Sequence, residues 1–296
     1  DVHGSTRVTL GNSGKKILLA AHLDEIGLIS TYIDKDGFIK ASPVGFVYKE
    51  GLFGNRVQFE NGTWGVISSE KTYPKPEIEM HKFFIDIGAK NRKEAEKLLP
   101  IGTFGVFARD LVKAANGRII SKALDDRIGV YVLLKVIKEL ASADLKDTVN
   151  FVFTVQEEFS GLGAATSAFG IAPHIAIAVD VTDSDDTREN MYLNMRLDSG
   201  PAIKIMDASL ISHPKLKEHF ISIAKKNKIP HQLEVLPCGG TDAGTMSLVK
   251  KGIPSIGISI PTRYIHTPSE MISSTDVENT IKLLVAAVKG KIGGAL

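Results

Sequence analysis

Two textures of hydrophobic and polar positions divide the chain. From about residue 120 onward, short continuous apolar runs alternate with segments whose apolar residues recur at helical spacing. Residues 148–156, Thr-Val-Asn-Phe-Val-Phe-Thr-Val-Gln, are β-branched and aromatic, as expected of a strand buried in a central sheet. The runs at 174–179, 232–236 and 255–260 read the same way. Between them, 127–140 places Ile128, Val132, Leu133, Val136, Ile137 and Leu140 on one helical face. Further helices are expected near 162–169, at 214–227, up to Lys251, and from Thr275 to about Val288, where Glu278 is placed to complete a capping box. Such alternation implies a largely parallel sheet covered by helices. Upstream, 16–21 is a short apolar strand, and 6–10, lying before a Gly11-Asn12-Ser13-Gly14 turn, reads as its partner.

Between residues 28 and 107 the pattern shifts to short alternating strands. Two hairpin turns are readable, at Asp36-Gly37 and Asn61-Gly62. One helix fits, at about 91–99, with Asn91 as its cap and Glu94 three residues later. The expectation is a small β-rich module, 28–107, inserted into an α/β domain formed by 1–27 and 108–296.

Composition narrows the function classes. The 296 residues are 43% hydrophobic and 24% charged, which is ordinary globular usage. The 36 basic and 34 acidic residues are spread without a basic block, so nothing points to nucleic acid. No run approaches the roughly 20 apolar residues of a membrane span. A single cysteine, Cys238, excludes an internal disulfide and fits a reducing cytosol, so a cytoplasmic location is expected. The chain opens without Met, inside what reads as a strand, which suggests a missing leading segment.

Candidate chemistry sits at five strand or loop ends: His22-Leu23-Asp24, Asp125-Asp126, Glu157-Glu158, Asp180 and His266-Thr267-Pro268. Each alone has a bland explanation: a hydrogen-bonded structural histidine, a helix N-cap, an Asx turn, a solvated acidic loop. Together they are harder to dismiss. The carboxyl ends of parallel strands converge on one edge of a sheet. Acids gathered there with no Arg repel one another and raise one another's pKa, unless cations neutralise them. Two divalent ions about 3.5–4 Å apart would do so, and nitrogen and oxygen donors without thiolate suit zinc, cobalt or manganese. The residues therefore point to a binuclear metallohydrolase. Glu157 and Glu158 pose a geometric condition, because neighbours in an extended strand face opposite sides. For both to reach one site, the strand must twist or end between them.

The motifs His22-Leu23-Asp24-Glu25-Ile26-Gly27, Ala123-Leu124-Asp125-Asp126-Arg127-Ile128-Gly129, Gln156-Glu157-Glu158-Phe159-Ser160-Gly161-Leu162-Gly163, Val179-Asp180-Val181-Thr182 and Tyr264-Ile265-His266-Thr267-Pro268 resemble those of the M42 metallo-aminopeptidases, the glutamyl or deblocking, TET-like enzymes. Gly239-Gly240-Thr241-Asp242-Ala243 and Phe84-Ile85-Asp86-Ile87-Gly88-Ala89 extend the likeness over nearly the whole chain. The resemblance implies a phosphorylase/hydrolase-like three-layer α/β sandwich with a mostly parallel central sheet, and an inserted PDZ-like oligomerisation domain. It implies two divalent metal ions per subunit, zinc or cobalt. His22 and Asp180 would hold one, Glu158 and His266 the other, and Asp125 would bridge them. Glu157 would be the general base and Asp24 would fix the His22 tautomer. Asp126 would follow a cis peptide while also capping its helix. The implied substrates are short peptides cleaved from their N-termini, by a cytosolic enzyme that self-associates, commonly into dodecamers built from dimers.

One departure is that family members begin with a helical segment ahead of residue 6, which this sequence lacks. The alternative is another binuclear amidohydrolase or deacylase of the same clan. A glucanase label, which some relatives carry, conflicts with the ligand set, since ordinary glycosidases use a carboxylate pair without metal. Arg263 is left open between facing an acidic substrate residue and facing solvent.

Overall fold

The computed structural model describes residues 1–70, 79–187 and 194–296. Strand β2 (Lys16–His22) lies near the middle of the main sheet, between β11 (Thr148–Thr154) and β12 (Ile175–Asp183), parallel to both. Its run Ile17-Leu18-Leu19-Ala20-Ala21 is buried on both faces, which is why it reads as continuous rather than alternating. Ile17, Leu19 and Ala21 pack into one apolar layer with α2 (Leu124–Leu140), α4 (Pro214–Lys226) and α6 (Ser274–Lys289). Leu18 and Ala20 face the opposite layer, with α3 (Leu162–Ile171) and α5 (Asp242–Ser247). The result is helices, sheet, helices. On α2 the predicted stripe is borne out, with Val132, Leu133, Val136 and Leu140 buried. Each such side chain contributes about 1.5–3 kcal/mol by leaving water.

The sheet is mixed rather than mostly parallel. Its parallel centre is β11–β2–β12–β15, where β15 is Ser255–Arg263. Antiparallel pairs flank it: β1 (Thr6–Leu10) on β11 at one side, and β16 (Glu270–Ser273), β10 (Arg118–Ser121) and β9 (Val112–Lys113) beyond β15 at the other. A side branch runs from β15 to β13 (Ala202–Met206), antiparallel, and on to β14 (Gln232–Val235), parallel to β13. Strand β1 does not pair with β2 as expected, because β11 lies between them. The 11–15 connection instead wraps the start of β11: the Lys15 N–H donates to Asp147 Oδ1 (3.1 Å) and the Thr148 N–H donates to the Lys15 carbonyl. Gly14 is needed there, since it has φ +64° and a Cβ would meet the Lys146 carbonyl at 2.0 Å. Helix α6 begins earlier than Glu278 suggested. Ser273 is the cap, its hydroxyl accepting from Thr275 N–H, and the first-turn acid Asp276 accepts from the Asp198 and Gly200 N–H groups.

Among the described residues, six strands form a closed antiparallel barrel, in the order β3 (Gly27–Ile33), β4 (Ile39–Val44), β7 (Phe83–Asp86), β6 (Trp64–Ser69), β5 (Arg56–Phe59) and β8 (Phe104–Phe107). Closure removes the unpaired edges that small sheets otherwise expose. Its own core includes Leu28, Ile39, Val57, Phe59, Ile67, Ile85 and Phe107. Helix α1 (Arg92–Leu98) adds Ala95 to that core and is capped as read, with Asn91 accepting from the Glu94 N–H and Glu94 accepting in return from the Lys90 N–H.

Candidate metal centre and active site

The sheet delivers the predicted polar residues to one place by different routes. His22 is the last residue of β2 and pairs in register with Thr154, the last of β11. Asp180 lies within β12, which runs four residues further than the apolar run predicted because its pairing with β15 continues to Asp183. Asp125 opens α2, and the peptide bond between Asp125 and Asp126 is cis. His266 lies in the turn between β15 and β16.

Glu157 and Glu158 reach the site because β11 stops at Thr154, before the pair. Gln156 then adopts a left-handed conformation (φ 61°) and residues 157–160 form a turn. Asp24 holds that turn: its carboxylate accepts the N–H groups of Glu157 and Glu158, each at 3.2 Å. The His22 Nδ1 atom is 3.2 Å from the Asp24 carbonyl oxygen and 3.6 Å from its carboxylate. A carbonyl oxygen can only accept, so Nδ1 carries the proton and Nε2 is turned inward. Buried Asp126 accepts from the His22 N–H (3.2 Å) and from the Gly129 N–H (3.1 Å), so it caps the regular part of α2 while anchoring β2.

The geometry centres on Asp125. Its Oδ1 is 3.0 Å from His22 Nε2 and its Oδ2 is 3.2 Å from His266 Nε2. Asp180 Oδ1 is 4.0 Å and Glu157 Oε2 is 3.9 Å from His22 Nε2, and Glu158 Oε2 is 3.4 Å from His266 Nε2. Two groups of donors thus share one carboxylate: His22, Asp125 and Asp180, and Asp125, Glu158 and His266, with ligand atoms in each group within 4.8 Å of one another. Among the described residues, none of these acids ion-pairs with a Lys or Arg.

The electrostatics follow from that crowding. Burial, followed by the charge of Asp125, pushes the Glu158 carboxyl up to about 7. Burial and the neighbouring Asp180, Asp242 and Asp125 charges drive Glu157 well above the usual carboxylate range, against the opposing pull of His22. Asp180 rises for the same reasons, burial first. Burial opposes charge on His266, yet Asp125 and Glu158 lift it to about 9. The buried Glu158 Oε1 has no hydrogen-bond partner. An orphaned anionic oxygen beside clustered imidazoles and carboxylates is what divalent cations would satisfy. The donor set is nitrogen and oxygen only, so it fits zinc, cobalt or manganese without selecting among them.

Asp125, Glu157, Glu158, Asp180 and His266 line a cavity of about 360 Å³, whose walls beyond the cluster include Phe46, Thr182, Asp183, Lys204, Leu236, Thr241 and Ile265. Lys204 is buried against Glu234 (3.1 Å). Arg263 is neither turned to solvent nor left free for a substrate, because it is held by both carboxylate oxygens of Asp186, at 2.7 and 2.8 Å.

Sequence reasoning missed Glu270. Buried at the start of β16, it accepts the Asp125 N–H (3.0 Å) and the His266 N–H (3.1 Å), tying two residues of the cluster together. Burial and the nearby Asp125 push its carboxyl up to about 8. Its sequence signal was only an acid heading a short apolar strand. The Glu270→Ala variant leaves two N–H groups unpaired, so we expect a loss of about 2–4 kcal/mol in urea unfolding. Divalent-ion affinity in calorimetric titration should weaken roughly 10–100-fold.

Comparisons with known proteins agree with one another. The model of a peptidase family described as M42 glutamyl aminopeptidase matches residues 4–283. A lysyl aminopeptidase of Pyrococcus furiosus is 34% identical over 301 residues, covering 98% of this chain and 86% of that protein. The aminopeptidase APDkam598 of the archaeon Desulfurococcus kamchatkensis superposes with a TM-score of 0.92 at 39% identity, covering 100% of this chain and 85% of that one. The Pyrococcus horikoshii TET1 peptidase, described as assembling into a tetrahedron or a large octahedral shell, gives a TM-score of 0.86 at 33% identity, covering 97% and 88%.

Proposed function

Because the chain belongs to the M42 glutamyl aminopeptidase family, we propose that it is a binuclear metal-dependent aminopeptidase that removes N-terminal residues from short peptides. The observation that carries this reading is the single Asp125 carboxylate turned toward both His22 and His266. His22 and Asp180 would hold one ion and Glu158 and His266 the other, with Asp125 shared. Such ions, zinc or cobalt by the resemblance to the family, would supply Lewis acidity toward the scissile carbonyl and the attacking water.

The remaining work falls to side chains. Glu157 stands beside His22 without belonging to either donor group. Its raised proton affinity suits a carboxylate that takes a proton from the attacking water and delivers it to the leaving amine. Asp24 sets the angle of Glu157 and Glu158 through their backbone N–H groups, and its carbonyl fixes the His22 tautomer. Asp126 anchors the His22 backbone N–H, and Glu270 holds the Asp125 N–H.

The deciding experiment is a panel of aminoacyl anilides and short peptides with free and blocked N-termini, run with each divalent ion and after chelation. Cleavage of free N-termini only, lost on chelation and restored by zinc or cobalt, is the expected result. Preference for blocked substrates would favour a deacylase, and turnover of cellulose in place of anilides would favour the glucanase label.

For 28–107 we propose the role of a self-assembly module. The barrel exposes large apolar side chains, Tyr32, Trp64, Val66, Ile101 and Phe104, each about half accessible, a liability that an interface would cover. We expect light scattering to report a particle far larger than the 32.0 kDa chain, a dodecamer built from dimers. A stable monomer would remove this assignment. No helix among the described residues is long and apolar enough to cross a membrane. A cytoplasmic location is proposed on the single, exposed Cys238.

A further inference from the structure

We propose that the inserted barrel also forms part of the substrate site, and that Phe46 is its specificity-determining residue, contacting the side chain of the second residue of the peptide, just beyond the scissile bond. This rests on the aminopeptidase reading above. The segment after β4 leans over one half of the candidate centre. Gly45, at φ +79°, sits so close to Glu158 that a Cβ would lie 3.1 Å from Oε2 and 3.3 Å from the Glu158 Cβ. The next residue, Phe46, places its ring 5.7 Å from the His266 ring, tilted by 45°. Tyr48 braces Phe46 edge-on at 5.0 Å.

Phe46 lines the cavity yet is 59% exposed, whereas Lys204 and Thr241 in the cavity wall are buried. Phe46 therefore stands at the mouth and the polar wall lies deeper. An enzyme that removes one N-terminal residue must seat that residue in the deep part and let the remaining peptide leave by the mouth. The first group to pass Phe46 is then the side chain following the cleaved bond. An exposed aromatic ring, held by an edge-on neighbour, offers an apolar or aromatic side chain a contact that a glycine cannot use. The chemistry favours peptides with Phe, Leu or a similar apolar residue in second position.

The test uses two tripeptides that share the N-terminal residue cleaved fastest by the wild-type protein, one with Phe and one with Gly in second position, both followed by Gly. Wild-type protein should prefer the Phe peptide by roughly five- to tenfold in kcat/KM. Phe46→Ala should bring the ratio close to one by losing turnover of the Phe peptide alone, and Phe46→Tyr should restore it. Bound divalent ion and particle size should be the same in all three proteins. An unchanged ratio in Phe46→Ala overturns the proposal. Equal loss on both peptides, or a loss of bound ion, also overturns it, because Phe46 would then be acting only on His266 or on the fold. Wild-type protein that cleaves neither peptide would instead bring down the aminopeptidase reading itself.

Discussion

Glu157→Gln is expected to lower kcat by roughly 10²–10⁴-fold while leaving fold and ion content unchanged. The argument is geometric. Glu157 Oε2 lies 3.9 Å from His22 Nε2, near the cluster, yet Glu157 is in neither donor group. Glutamine keeps the shape of the side chain and the backbone N–H bonded to Asp24, so the 157–160 turn stays in place. What is lost is the ability to take up and release a proton. The loss should therefore appear in kcat with little change in KM, and metal analysis should report as much bound ion as in the wild type. Full activity in the ion-loaded variant would show that another group carries the proton. Loss of ion together with activity would show that Glu157 is a ligand.

Asp125→Asn should have the largest effect on ion binding, because one carboxylate serves both donor groups. An amide presents one oxygen and one N–H donor where two anionic oxygens faced His22 and His266 at 3.0 and 3.2 Å. Whichever way the amide turns, one half of the centre meets a donor instead of an acceptor, and the shared negative charge is gone from both. We expect metal analysis to find neither ion retained, with peptide hydrolysis falling to background. By contrast, Glu158→Gln should chiefly empty its own half. Stability provides a second readout. An ion at 100 times its dissociation constant stabilises the folded state by about 2.7 kcal/mol. The wild-type thermal midpoint should therefore fall on chelation, and that of Asp125→Asn should not respond. An Asn variant that kept a full ion complement would rule out Asp125 as the shared ligand.

Periodicity worked well where burial on one face leaves a trace in the residues. The α2 stripe, the capped α1 and the buried β2 and β11 all appeared where the apolar pattern put them. It failed where pairing depends on distant strands. The local pattern pairs β1 with β2, but β11, more than a hundred residues later, lies between them. The antiparallel flanks of the main sheet were also invisible, since a strand's neighbours leave no local mark. The α6 cap lies at Ser273, ahead of the Thr275–Glu278 box, where tertiary contacts with Asp198 engage both Ser273 and Asp276.

The candidate site divides along the same line. Residue types at strand ends were enough to nominate His22, Asp125, Glu157, Glu158, Asp180 and His266, because burying that many acids without basic partners is costly unless something cationic joins them. How two adjacent glutamates reach one site was decided only in three dimensions, by a left-handed Gln156 and by Asp24 accepting both N–H groups. Glu270 and Phe46 belong wholly to the tertiary level. Each is placed by segments distant in sequence: Glu270 meets Asp125 across 145 positions, and Phe46 is carried to the ring of His266 by the segment that follows β4. A sequence states which side chains are available and which local conformations they prefer. Which of them meet is set by the packing of apolar layers that bring distant segments together.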